Sequence, residues 1–137
     1  MTPRAGSGQD DESLRAREKN AKSRKIGLEG ETLVARYLAS LGWAIIARNW
    51  RTRRGEIDII ARESDVLVFV EVKTWPHGEA ADLDLVIGYG KQRRMVETAK
   101  CFLDTHRQYN GMYIRFDVIL VDSGIHHLKD AFSERVE

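Results

Sequence analysis

From residue 26 onward, apolar positions fall into stretches of helical and strand-like period that outline a mixed α/β domain. Ile26, Leu33, Val34, Tyr37, Leu38 and Leu41 recur at helical spacing and give one apolar face, which predicts a helix over about 25–41 stopped by Gly42. Residues 43–49 read as a first strand, and a polar turn at 51–55 ends in glycine. Residues 56–61 alternate acid and isoleucine and read as a second strand. A short polar turn at 62–65 then predicts a hairpin with 66–73, whose residues are nearly all β-branched or apolar. Such a run suits a central strand buried on both faces, and Pro76 ends it. Residues 76–90, with Gly78, Gly88 and Gly90 around an Asp/Leu/Val mix, are expected to form a long loop. Met95, Val96, Ala99, Phe102 and Leu103 share a face of a helix predicted over 91–106. Residues 113–121 form a further strand, Gly124 breaks it, and 125–128 is a candidate short final strand. The main element order is α-β-β-β-α-β.

Residues 1–25 hold almost no large apolar side chains and read as a flexible tail, too polar to offset the entropy of ordering. The later part of the tail is basic (Arg15, Arg17, Lys19, Lys22, Arg24, Lys25), as an inert tail or a weak phosphate-binding arm. Residues 26–137 form the domain, and the length of 137 residues with 42% apolar content suits one core. A single cysteine, Cys101, excludes an internal disulfide framework and a Cys-rich zinc site. No apolar run approaches the roughly 20 residues of a membrane span, and no apolar leader opens the chain. A cytoplasmic protein without a membrane partner is expected.

The net charge of +1 is no argument for nucleic acid. Local charge is more informative: Arg48, Arg51, Arg53 and Arg54 cluster, as do Lys91, Arg93 and Arg94. Such groups either neutralise phosphates or form a solvated surface.

The chemistry lies in the two central strands. Side chains alternate across a strand, so Glu71 and Lys73 share one face and Val70 and Val72 the other. Asp58 interrupts Ile57, Ile59 and Ile60 in the preceding strand. If the two strands pair through the short turn, Asp58 lies beside Glu71. Adjacent carboxylates repel and favour a bound cation, and oxygen-only ligation suits Mg²⁺ or Mn²⁺. A neighbouring lysine can orient or help deprotonate an attacking water, or stabilise phosphorane-like charge. That combination points to phosphodiester hydrolysis. A surface salt bridge between Glu71 and Lys73 is the plainer alternative, and the apolar run 66–72 argues against it.

A wider set of motifs accompanies these residues: Gly30-Glu31, Ala35-x-Tyr37-Leu38, Arg48-Asn49-x-Arg51, Gly55-Glu56-Ile57-Asp58-Ile59-Ile60, Val68-Phe69-Val70-Glu71-Val72-Lys73, Lys91-x-x-Arg94 and Arg115-Phe116-Asp117-Val118-Ile119. In this order, over about residues 26–133, the chain resembles the YraN-like family of small bacterial proteins. These are related to the PD-(D/E)XK nucleases and are most similar there to archaeal Holliday junction resolvases. The resemblance implies a restriction-endonuclease-like αβββαβ fold, with a four-stranded mixed sheet flanked by helices. It implies Glu31, Asp58, Glu71 and Lys73 as site residues around one or two divalent metals, with Glu31 acting through water or at a second metal. It also implies DNA as partner, branched or otherwise structured, and a homodimer, since cutting two symmetric strands needs two sites. One departure is Thr74-Trp75-Pro76, where members often carry a basic residue soon after the lysine.

The remaining candidates divide between site and scaffold. Lys91, Gln92 and Arg94 open a helix behind a glycine-rich loop and, with Arg48, Arg51, Arg53 and Arg54, are the expected nucleic-acid contacts. Glu56 at a turn and Asp117 within a strand read as structural. Trp50 and Trp75 suit packing better than base stacking. His126 and His127 point to opposite strand faces and so cannot easily share a metal. The function read from the sequence is a metal-dependent endonuclease, with a non-catalytic nucleic-acid-binding or interaction module on the same fold as its rival.

Overall fold

The computed structural model describes residues 29–74 and 87–134, with Leu14, Arg15 and Arg17. The predicted tail falls almost wholly outside the described residues, as do 76–86 of the expected loop. A helix, α1, covers residues 29–40 and ends at Gly42, whose φ of 88° is a left-handed conformation that glycine adopts without steric cost. Three strands follow: β1 (Ala44–Thr52), β2 (Gly55–Glu63) and β3 (Val66–Thr74). Helix α2 (Tyr89–Thr105) precedes β4 (Tyr113–Val121) and β5 (Ile125–Phe132).

The strands form one mixed sheet in the order β1-β2-β3-β4-β5. All neighbouring pairs are antiparallel except β3 and β4, which run parallel from Val66↔Tyr113 to Thr74↔Val121. The sheet therefore has five strands where four were expected. The candidate final strand is real and extends to Phe132. Its largely exposed pattern explains why it reads weakly, because it closes one edge of the sheet and faces water. Helix α2 also starts earlier than predicted, at Tyr89, so Gly90 belongs to its first turn and not to the loop.

The two helices cover opposite faces of the sheet. On one face, Met95, Val96, Ala99 and Phe102 of α2 pack with Ile57, Ile60, Leu67, Phe69, Phe116, Val118 and Leu120. On the other, Val34 and Leu38 of α1 pack with Ile59, Ala61, Val68, Val70, Ile119 and Val121. As expected, β3 is central, with residues 67–71 all buried. Its alternation is regular: Leu67 and Phe69 face α2, and Val68 and Val70 face α1. Strand β2 breaks that rule. Ile60 and Ile57 both face α2 while Ile59 faces α1, so the alternation slips by one between 57 and 59, at Asp58. Paired positions of β2 and β3 likewise end at Ile59↔Val70, one residue short of Asp58 and Glu71. The seam between the two strands opens where the carboxylates lie. Among the described residues no helix is long and apolar enough to cross a membrane.

Candidate active site

Four elements bring charge to that opening. Asp58 enters from β2 and is 6% exposed; Glu71 enters from β3 and is 3% exposed. Glu31 stands in the first turns of the described part of α1, and Lys91 in the first turn of α2. Asp58 Oδ2 accepts a 2.8 Å hydrogen bond from the Val72 amide. The side chain thus takes the place of the strand partner that Val72 lacks there. Asp58 also lies within proton-sharing range of both Glu71 and Glu31. The result is a line of three carboxyl groups, from the α1 side through the seam to the α2 side.

The electrostatics follow from this crowding. Burial, and then the negative charge of Glu71, push the Asp58 carboxyl up to about 7. Burial, and then the charge of Asp58, also raise Glu31, while a side-chain hydrogen bond from Asn49 and the charge of Arg48 act the other way. Asn49 sits within β1 at φ 52°, a left-handed conformation that Asn tolerates better than most residues. At the α2 end, Lys91 Nζ contacts Glu71 Oε1 in an ion pair. Burial works against that ammonium, but the hydrogen bond and charge of Glu71, followed by Asp58 and Glu56, outweigh it and raise the lysine. Glycine at position 30 lets α1 come close to the end of β3, since a Cβ there would lie 2.7 Å from Thr74 Oγ1.

The donor set fits a hard divalent cation. Glu31 Oε2 and Glu71 Oε2 are buried, and among the described residues neither has a hydrogen-bond partner. Buried carboxylate oxygens without partners are costly, and a cation is a natural ligand for them. Among the described residues no three His, Cys, Asp or Glu side chains close around one point as a ready-made metal cage. An open site with one or two carboxylates, completed by water and substrate oxygens, is the usual arrangement for Mg²⁺.

Comparison with known proteins bears on the same region. The profile of "Uncharacterised protein family UPF0102" matches residues 30–121, which include Glu31, Asp58, Glu71, Lys73 and Lys91. The chain belongs to the UPF0102 family. A UPF0102 protein of Treponema denticola is 47% identical over 124 aligned positions, covering 80% of this chain and 95% of that one. One from Treponema pallidum is 49% identical, covering 81% and 94%, and one from Synechococcus is 39% identical, covering 76% and 79%. The YraN-like resemblance read from the motifs is thereby borne out.

The other expected site residues of this UPF0102 chain are distributed unevenly. Lys73 lies on the Glu71 face of β3, but its side chain is exposed and has no ion pair or hydrogen bond among the described residues. Lys91, expected at a phosphate, is instead paired with Glu71. Gln92, expected beside it, is turned inward: it is 4% exposed, and its Nε2 donates to the Ile87 carbonyl at 3.0 Å. It caps the approach to α2 and does not present itself to a ligand. Arg48 donates to Thr32 at 3.1 Å, Arg51 pairs with Glu56 and Arg54 with Glu97, each at 2.9 Å. Arg53 and Arg94 remain exposed without such partners among the described residues. A cleft of about 450 Å³ is lined by Arg54, Gly90, Arg93, Arg94 and Glu97. Trp50 packs edge-on against Phe102 at 5.3 Å, a core role, and Trp75 lies outside the described residues.

A second polar cluster lies away from these acids. Asp117 is fully buried, accepting from Arg115 Nε at 2.8 Å, His127 Nε2 at 2.7 Å and the Asp130 amide at 3.0 Å. Burial acts to raise its pKa, but these hydrogen bonds outweigh that and lower it. Tyr37 of α1 meets the other nitrogen of His127 at 3.0 Å. The cluster ties α1, β4 and β5 together, which is the structural role expected for Asp117. His126 instead meets Asp122, so the two adjacent histidines do not share a site.

Sequence reasoning missed two contacts, Lys91 on Glu71 and Asn49 on Glu31. Asn49 was legible as part of the Arg48-Asn49-x-Arg51 motif, but its backbone conformation carries no local sequence signal. The Lys91 contact joins positions 20 apart on different elements, and periodicity does not encode it.

Proposed function

We propose that this UPF0102 protein is a Mg²⁺- or Mn²⁺-dependent endonuclease acting on structured or branched DNA. The observation that carries the reading is the line Glu31–Asp58–Glu71, in which two buried carboxylate oxygens lack partners among the described residues at an opening in the sheet. In this reading Asp58 and Glu71 hold the cation, and Glu31 acts through water or at a second ion. Bound there, a divalent cation supplies Lewis-acid polarisation of a phosphoryl oxygen and lowers the pKa of a water. The chain's own residues do the rest. Lys73 Nζ, exposed at the end of β3, orients the attacking water and takes part in its proton transfer. Arg53 and Arg94 hold the phosphate backbone as exposed cations. The fully buried core of β2 and β3 keeps the carboxylates in fixed register, the preorganisation that hydrolysis needs. A homodimer belongs to the same reading, since symmetric branched DNA presents two equivalent strands.

The test is cleavage of single-stranded, duplex, flap and four-way-junction DNA with Mg²⁺ and with Mn²⁺, comparing the wild type with Glu71→Gln. Cleavage by the wild type alone supports the reading. The rival, a non-catalytic nucleic-acid-binding module, is favoured by the ion pair in which Lys91 balances the charge of Glu71. A wild type that binds these substrates but cuts none with either metal decides for the rival.

A further inference from the structure

The ammonium of Lys91 sits on Oε1 of Glu71, the same carboxylate that the proposed function assigns to a divalent cation through Oε2. We infer that Lys91 is the resident counter-cation of the carboxylate pocket, and that it and a divalent metal compete for Glu71. The inference rests on the metal-binding reading of Glu71 and adds a control on it. Glu71 is 3% exposed, so its charge needs a partner inside the fold. Lys91 supplies one through Oε1, while Oε2 has no partner among the described residues. An ammonium and a dication held on the same carboxylate repel each other strongly at this depth. Metal binding at Glu71 is therefore coupled to departure of the Lys91 side chain. That departure is sterically open, because the lysine side chain is 43% exposed and sits in the first turn of α2, beside Gly90 and Arg94. Once released, Lys91 lies on the arginine-lined side of α2, where a substrate phosphate can take the place of Glu71 as its partner. Metal and substrate then favour each other: the metal frees the lysine, and the phosphate keeps it away from Glu71.

The experiment measures Mn²⁺ affinity by calorimetry, without DNA, for the wild type, Lys91→Met and Lys91→Arg. Lys91→Met keeps the aliphatic stem and removes the charge; it is expected to bind Mn²⁺ roughly tenfold more tightly, within the usual range for two coupled sites. Lys91→Arg retains the competitor and is expected to stay near the wild type. A second measurement needs no variant: the rate at which an amine-acylating reagent modifies Lys91, read by mass spectrometry with Lys129 as internal reference. Mn²⁺ is expected to raise the Lys91 rate severalfold and leave Lys129 unchanged. If the wild type binds Mn²⁺ but Lys91→Met binds no more tightly, or the acylation rate of Lys91 does not rise, the competition is overturned while the metal site stands. If none of the three proteins binds Mn²⁺, both readings fall together.

Discussion

Replacing Asp58 by asparagine removes one charge from the carboxylate line while preserving shape and the oxygen that accepts the Val72 amide. In the folded protein the Asp58 carboxyl is pushed up to about 7 from an ordinary value of 3.8, so the native state binds its proton more tightly than the unfolded chain does. The sign is therefore opposite to that of a salt-bridged aspartate. The stabilising contribution is complete below the unfolded value and is lost as the pH rises through the folded one. Each pH unit within that window carries at most about 1.4 kcal/mol. Between pH 5 and pH 8 the wild type should lose about 2–3 kcal/mol from this group, and Asp58→Asn should lose none of it. Titrations of groups outside the carboxylate line and Lys91 are common to both proteins and cancel in the difference. For a domain of this size the gap corresponds to roughly 7–10 °C in Tm. The assay is thermal or urea unfolding of both proteins in EDTA at pH 5 and pH 8. Asp58→Asn should be more stable than the wild type at pH 8, with the margin shrinking by that amount at pH 5. Mn²⁺ at pH 8 should then narrow the gap by stabilising the wild type alone. A margin equal at the two pH values would refute the argument that burial and Glu71 hold Asp58 in its protonated form.

Further outcomes follow from other residues. Gly30→Ala places a Cβ 2.7 Å from Thr74 Oγ1 and should destabilise the fold by about 1–3 kcal/mol; Thr74→Ala in the same chain should restore it, helped by the higher helix propensity of alanine. Additive losses in that double-mutant cycle would show that the contact does not position α1. Asp117→Ala strands Arg115 and His127 and should cost about 3–5 kcal/mol in urea unfolding, and a loss below about 1 kcal/mol would remove the cluster from the core's stability. Because the folded pKa of Asp117 is lowered, its contribution is present above the ordinary carboxyl range and is lost as the pH falls through the depressed value, so Asp117→Asn should flatten the acid limb of the stability profile. Lys73→Ala should slow single-turnover cleavage by about 100-fold or more and barely change DNA affinity, whereas Arg94→Ala should weaken binding and its salt dependence while partly sparing the chemical step. Equal losses of rate and affinity in both variants would erase the division of labour.

The hairpin of β2 and β3 was legible because its turn is short and its strands are strongly patterned, and β3 reads as central because its interior has no polar position before Glu71. Helix α1 shows its apolar stripe and its glycine stop. The fifth strand was underread for a physical reason: an edge strand has one face in water, and the left-handed Asp130 with the register shift opposite Asp117 interrupts its period. In the site, the three acids could be named from the motifs, and Asp58 and Glu71 from strand patterning as well. Their partners could not. Alternation puts Lys73 on the Glu71 face, but at the end of a strand that face opens to solvent, and the ammonium that reaches Glu71 comes from another element. Gln92 shows the same limit, since its helix-start position suggested a ligand contact while tertiary packing turned it inward.

The amide of Val72 is bonded to a carboxylate where a strand would ordinarily offer a carbonyl. That makes a single backbone proton into a gauge of the pocket. Its resonance in a proton–nitrogen spectrum should shift as Asp58 ionises, and shift again as the carboxylate is drawn toward a metal. The interior of this sheet thus carries a spectroscopic probe that needs no label beyond the nitrogen isotope, at the point where backbone architecture and chemistry share one oxygen atom.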